Sequence, residues 1–333
     1  MTAAATDSYA VARDGEPAVL ARLFGWGMLA VLAGFVINNV LIVGWGMPSL
    51  RDFIAGGAGA SAWITIGVYI ACLIVAAAYV LGARNRSLRW DALRIHQFNS
   101  YIIRFCFWAV LLCGVVDATI ALMRVENLLP MFFSAETVTN MGRAQYVGPY
   151  VHGPLILASL VLALFSRTLG FHWLALMIVV AELGIVISRF GFSYEQALMG
   201  DLVRYWYAAL FLFASAYTLF EDGHVRVDVL YAGFGTTKRG FINAWGSILL
   251  GMSTVWVILY IGFNGKQSII NSPVVNFEVT QSGSTGMFIK YQMAAFLGIF
   301  AITMLIQFVS YFLESVADWR DEPGRREVTP TGH

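Results

Sequence analysis

Long blocks of apolar residues, separated by short polar segments, run along most of the chain. Each block holds about 20 residues, the length that a helix needs to cross a hydrocarbon core of about 30 Å. The apolar residues are continuous within each block, as is typical of membrane-spanning helices. The pattern predicts an all-α, polytopic membrane protein of about eight transmembrane helices, over residues 24–45, 62–83, 101–123, 147–165, 171–190, 203–220, 241–262 and 288–313.

The fourth block leaves an alternative open. Pro149, His152 and Pro154 interrupt its start, and proline removes a backbone donor from a helix. A helix that spans fully here gives eight crossings, whereas a re-entrant segment would leave seven.

The composition agrees with lipid as the surrounding solvent. Of the 333 residues, 59% are hydrophobic and 12% are charged, whereas a soluble domain is typically about 45–50% apolar and about 25% charged. The formal net charge of +1 lacks the basic footprint that a nucleic acid partner would require. The sequence shows no metal-type cluster, nucleophile triad or glycine-rich phosphate loop, so we expect neither a cofactor nor a metal nor enzyme activity.

Arginine and lysine concentrate on one set of loops. The loops after the second and sixth predicted helices and the C-terminal segment are rich in them: Arg84, Arg86, Arg89, Arg94, Arg226, Lys238, Arg239, Arg320, Arg325 and Arg326. Short cytoplasmic loops carry such an excess. We therefore expect both termini in the cytoplasm and the chain in a bacterial inner membrane.

Two carboxylates fall inside predicted spans. Asp117 lies in the third block and Glu182 near the middle of the fifth, with Arg124 and Arg189 seven residues further on in each case. Charged groups at membrane depth often belong to an ion or proton path, and this is one interpretation of both residues. The other interpretation is a buried group that is hydrogen-bonded to a neighbouring helix or to a partner subunit.

Two short motifs flank the sixth predicted helix. The first is a turn in which aromatic residues and then an acid follow an arginine, and the second reads Gly-His-Val-Arg-Val-Asp. Glycine can end a helix with positive φ, and in an extended segment a spacing of two places polar side chains on one side. In a surface helix, Arg226 would instead pair with Asp222. The motif positions are Arg189, Phe192, Glu195, Gly223, His224, Arg226 and Asp228.

Together these motifs resemble the DctQ-like small membrane subunit of tripartite ATP-independent periplasmic (TRAP) transporters. The resemblance covers about residues 171–312, and about four further helices precede this four-helix core. It implies a cytoplasmic N-terminal segment (1–23), a transmembrane extension (24–166), the DctQ-like core (167–316) and a cytoplasmic tail (317–333). From Asp318 onward the chain is polar with proline and glycine, which is typical of a disordered tail.

The resemblance implies a non-catalytic subunit of a sodium-coupled uptake system for organic acid anions. Such a subunit would scaffold the large membrane subunit, contact membrane lipids and help to dock the periplasmic binding protein that delivers substrate. Glu136 and Glu278, in two outer loops, are our candidates for that docking. One family feature is missing, since no proline leads into the last helix.

Two other classes of function stay open. An autonomous secondary transporter or channel would use Asp117 and Glu182 and would move solute without other subunits. A membrane-bound redox subunit would need a haem held by facing histidines, and only His152 and His172 lie near spans. Neither class explains the motif at residues 223–228.

Overall fold

The computed structural model describes residues 11–54, 59, 61–166, 170–220, 231, 233–280 and 286–325. Within these residues, eight helices are long and apolar enough to cross a membrane, which confirms the prediction of an all-α polytopic membrane protein. They are α1 (Val19–Trp45), α2 (Ala62–Gly82), α3 (Leu88–Val125), α4 (Ala144–Phe165), α5 (Phe171–Phe192), α6 (Ala197–Phe220), α7 (Thr236–Gly262) and α8 (Lys290–Trp319). Shorter helices lie in the connections at Leu50–Ile54, Leu129–Phe132, Ala135–Met141 and Asn271–Asn276.

The third helix is much longer than its apolar block. α3 has 38 residues and is therefore about 57 Å long, although the sequence predicts a helix only over residues 101–123. Its first turns are polar, and a hydropathy pattern does not distinguish them from a loop. They are helical in the structure, and their polar side chains Arg89, Asp91, His96 and Asn99 are buried with hydrogen-bonding partners.

The fourth block forms one continuous helix. α4 begins at Ala144 and passes through a π-helical turn at Gly148–His152. The N–H of Gly153 bonds to the carbonyl of Gly148, five residues back. This wider turn carries the chain past the two prolines without ending the helix. Among the described residues, α4 is thus one of eight helices long and apolar enough to cross a membrane, which favours the eight-helix interpretation.

The chain divides into two compact units. The first takes its described residues from 1–99, 216–268 and 301–333, and the second from 100–215 and 269–300. Each unit combines N-terminal and C-terminal parts of the sequence. The domain boundaries predicted after residues 23, 166 and 316 concern the extent of a family resemblance, and they stay predictions.

In the first unit, a buried ion pair joins the start of α1 to α3. Nε of Arg22 lies 2.7 Å from Oδ2 of Asp91, and both side chains are fully buried. The indole of Trp26 donates to the same carboxylate at 2.9 Å. Further along α1, the amide of Asn38 donates to the carbonyl of Thr65 at 3.0 Å. Polar contacts at two levels therefore fix α1 against its neighbours.

The segment that ends α8 is held in place, contrary to the prediction of a disordered tail from Asp318. Nη2 of Arg89 lies 2.8 Å from Oδ1 of Asp318. The same guanidinium donates to the carbonyls of Glu322 and Pro323, at 2.8 and 3.0 Å. The prediction was wrong for residues 318–325 because one arginine with three oxygen partners replaces the missing apolar contacts. Residues 326–333 lie outside the described part of the chain.

Replacing Asp91 with alanine should destabilise the protein strongly, because the buried guanidinium of Arg22 would lose its counter-charge. Removal of one partner from a buried ion pair typically costs about 3–5 kcal/mol. The thermal unfolding midpoint in detergent measures this effect. Arg94→Ala is the matched control at an exposed position of α3 and should change stability by less than about 0.5 kcal/mol. Equal midpoints for the two variants would contradict the role of the ion pair.

Candidate functional site

A buried carboxylate in the second unit holds the backbone just before α8. Asp117, on α3, accepts a hydrogen bond from the N–H of Phe288 at 2.7 Å. Its other oxygen, Oδ1, lies 3.3 Å from Nε2 of His152, and both side chains are fully buried. A buried backbone donor needs a partner of this kind, so Asp117 fixes the start of the last helix.

His152 lies in the π-helical turn of α4 and connects Asp117 to α8 and α6. Its Nδ1 is 2.8 Å from the hydroxyl of Tyr291 and 3.0 Å from the amide nitrogen of Gln292. Because the amide nitrogen of Gln292 is a donor, Nδ1 acts as the acceptor in this contact. The hydroxyl of Tyr205, on α6, donates to the amide oxygen of Gln292.

These five residues form one network, which we call the Asp117 network: Asp117, His152, Tyr205, Tyr291 and Gln292. Hydrogen bonds join its members on α4, α6 and α8, and the 3.3 Å contact between Oδ1 of Asp117 and Nε2 of His152 adds α3. Buried polar networks stabilise a structure when their members are satisfied and are costly when one is removed. Among the described residues, no group of three His, Cys, Asp or Glu side chains is arranged to hold a metal ion.

Asp201, on α6, is a second carboxylate at this place, and sequence reasoning missed it. Its Oδ2 accepts the N–H of Met287 at 3.2 Å, one residue before the N–H that Asp117 binds. Negative charge at the N-terminus of a helix is stabilising. Two carboxylates therefore hold the start of α8. This is the helix that lacks a leading proline. A signal was present, because Asp201 and Tyr205 lie four residues apart on one face of α6.

Arg124 binds the same segment. Its guanidinium donates to the carbonyls of Met141 and Gly286, at 3.1 and 2.7 Å. It also lies over the ring of Phe288, 3.8 Å from the centroid, within the range of a cation–π contact. Arg124, seven residues after Asp117, thus binds the segment before α8.

Glu182 has a different environment. It is exposed on α5, at the edge of a stripe that contains the buried residues Leu174 and Ile178. Nε of Arg189, seven residues on, lies 3.3 Å from Oε2 of Glu195. The structure therefore brings together the motif residues Arg189 and Glu195. It does not bring Glu182 into the Asp117 network.

The first motif forms the turn after α5. The helix ends at Ser193, which has left-handed backbone geometry with φ 49°, and the N–H of Tyr194 bonds to the carbonyl of Ser188 at 3.0 Å. The Tyr194 hydroxyl donates to the Glu126 carboxylate, and this bond raises the pKa of Tyr194. Phe192 is 76% exposed. The second motif lies outside the described residues: Gly223, His224, Arg226 and Asp228.

The two candidate docking acids differ in how they are held. Glu136 is exposed in the first turn of the helix Ala135–Met141, which is capped by the side chain of Ser134. Oε2 of Glu278 lies 2.9 Å from Nζ of Lys290, at the start of α8. Only Glu136 therefore presents a carboxylate without a close cation among the described residues.

Asp117→Ala should lower the stability of the chain, because the N–H of Phe288 would lose its buried acceptor. An unsatisfied buried donor typically costs about 1–3 kcal/mol. Glu182→Ala removes a carboxylate from an exposed position and should cost less than about 0.5 kcal/mol in the isolated chain. Thermal unfolding in detergent compares the two variants. If they unfold at the same temperature, Asp117 does not hold the start of α8.

Comparison with known proteins adds no relative. No family model matches the chain, and neither the curated proteins nor the solved structures give a significant match. The chain is a multi-pass membrane protein by its eight helices. Its function has to be argued from its own residues.

Proposed function

We propose that the chain is the non-catalytic small membrane subunit of a TRAP-type, sodium-coupled and binding-protein-dependent uptake system for organic acid anions. It would lie in a bacterial inner membrane with both termini in the cytoplasm. There it would scaffold a large transport subunit, contact lipids and help to dock a periplasmic binding protein. The observation that carries the proposal is the resemblance of the two motifs around α6 to the DctQ-like subunits.

The geometry of the first motif supports this proposal. Arg189 and Glu195 pair across the turn that ends α5, so the two charges stabilise the connection between the first two helices of the proposed core. Phe192, between them in sequence, stays largely exposed. An exposed aromatic residue beside a fixed turn is suited to contact a partner subunit or lipid headgroups.

The state of the two intramembrane carboxylates disfavours the autonomous transporter. That alternative needs Asp117 and Glu182 to serve one solute path. The Asp117 side chain is fully buried and holds the N–H of Phe288, whereas Glu182 is exposed on another helix. Intramembrane acids of a solute path normally face the bundle interior or a water-filled cavity, and these two do not share an environment.

Reconstitution in proteoliposomes tests the proposal. We expect sodium-driven uptake of organic acids only when this chain, its large membrane subunit and the binding protein are all present. Omitting any one of the three should reduce uptake to the level of empty vesicles. Uptake by this chain alone would overturn the proposal, and neutralising Asp117 and Glu182 would then locate the path.

Charge reversal at Glu136 should weaken the dependence of uptake on the binding protein. Glu136→Lys removes an exposed acid that would attract a complementary charge, so a higher concentration of binding protein should be needed for half-maximal uptake, by about three- to tenfold. The maximal rate should change little. The measurement is a titration of uptake with the binding protein at constant substrate.

Glu278→Lys should act in the same direction, but it also breaks the pair with Lys290. Lys290→Gln is therefore its matched control, since it breaks the pair and leaves the acid in place. If Lys290→Gln reproduces the effect of Glu278→Lys, that effect comes from loss of the ion pair and not from loss of the acid at the docking surface. Unchanged titrations for both Glu136→Lys and Glu278→Lys would contradict the docking role.

A further inference from the structure

Glu182 lies at the depth where a charge is most costly. It is the twelfth of the 22 residues of α5, which places it about 16 Å from either end of the helix. A bilayer has a hydrocarbon core of about 30 Å, so the carboxylate lies near its midplane. Ionisable residues at this depth almost always pair with a partner or face a polar interior.

The described part of this chain supplies no such partner. Glu182 is exposed, and no hydrogen bond or ion pair reaches it from the described residues. The basic residue nearest to it along α5, Arg189, is paired with Glu195. Asp117, by contrast, accepts a hydrogen bond from a backbone N–H and lies beside a histidine.

The surface beside Glu182 is suited to another helix. Exposed apolar side chains recur along it at alternating spacings of three and four: Leu176, Val179, Leu183, Val186 and Phe190. Other apolar side chains of α5 are exposed as well, among them Val180 and Ile187, so we use the word seam only for the five residues named. A partner helix can pack along this spacing, and Glu182 directly precedes one of its positions, where interhelical ion pairs form.

The apolar seam alone does not choose between lipid and a partner, since lipid also accepts apolar side chains. The carboxylate makes the choice, because it needs a donor that lipid tails lack. A second copy of this chain, packed by a two-fold axis through the same seam, would bring two Glu182 carboxylates together. A helix with a basic side chain at its midplane is the complementary partner.

We infer that a transmembrane helix of the large transport subunit packs along this seam and presents a lysine or arginine to Glu182. This inference rests on the proposed function and adds the place of the contact and its chemistry. The charge pair would be formed away from water, where electrostatic interactions are strong. It would therefore help to select the large subunit as well as to hold it.

Co-purification from detergent-solubilised membranes tests the inference. The full-length tagged chain is co-expressed with its large subunit as wild type, Glu182→Lys, Glu182→Gln and Asp14→Lys. We expect Glu182→Lys to reduce the large subunit that is retained at least about tenfold, and Glu182→Gln to reduce it less. Asp14→Lys makes the same charge change at an exposed site outside the spans and should retain the wild-type amount.

A stability measurement separates loss of contact from misfolding. The isolated Glu182→Lys and wild-type chains should unfold within about 2 °C of each other, because Glu182 is exposed and makes no hydrogen bond or ion pair within the described residues. Glu182→Leu, which suits lipid, should fold equally well and still retain less large subunit.

Two results would overturn the inference alone. One is wild-type retention of the large subunit by all three Glu182 variants. The other is a cross-link from a photoreactive residue at position 182 to a second copy of this chain and not to the large subunit. A wild-type chain that retains no large subunit would instead overturn the proposed function on which the inference rests.

Discussion

The absence of water from the bilayer core is the constraint on which this structure depends. Polar groups at membrane depth must find their partners within protein, and each such partner fixes one segment against another. Asp117 satisfies the N–H of Phe288, and the amide of Asn38 satisfies the carbonyl of Thr65. Helices that share an apolar surface with lipid gain little from hydrophobic contact with one another. These few polar contacts therefore determine how the helices are arranged within each unit.

Several polar side chains hold the backbone at the start of α8. α8 begins at Lys290, and the two N–H groups just before it are bound by carboxylates on α3 and α6. Arg124 adds a guanidinium that binds the carbonyl of Gly286 in the same segment. Because these partners come from both α3 and α6, the start of α8 also serves as a junction for the second unit. A proline would rigidify the backbone here but could not link three helices.

The polar ends of the long helices carry the corresponding contacts of the first unit. α3 and α8 are both longer than a bilayer requires, and their extra turns carry charged side chains that pair with other segments. Arg22 and Asp91 form a buried pair at one such end, and Arg89 binds Asp318 at another. Each buried charge here is matched by an opposite charge, and loss of one partner would leave the other uncompensated. The apolar spans thus set the position in the membrane, while their polar extensions hold the unit together.

The sequence by itself determined the order of the spans and the approximate limits of their apolar parts, because the bilayer thickness sets the length of an apolar block. It left seven or eight crossings open. It also named Asp117 and Glu182 as unusual, but it could not tell them apart. Only the tertiary structure decided that one is buried and bonded while the other is exposed, since the donor to Asp117 lies 171 residues away in sequence. For the same reason the helical polar turns of α3 and the fixed end of α8 escaped prediction, as Arg89 and Asp318 are 229 residues apart. A local pattern records how apolar a segment is, and it contains no information about which distant group will reach it.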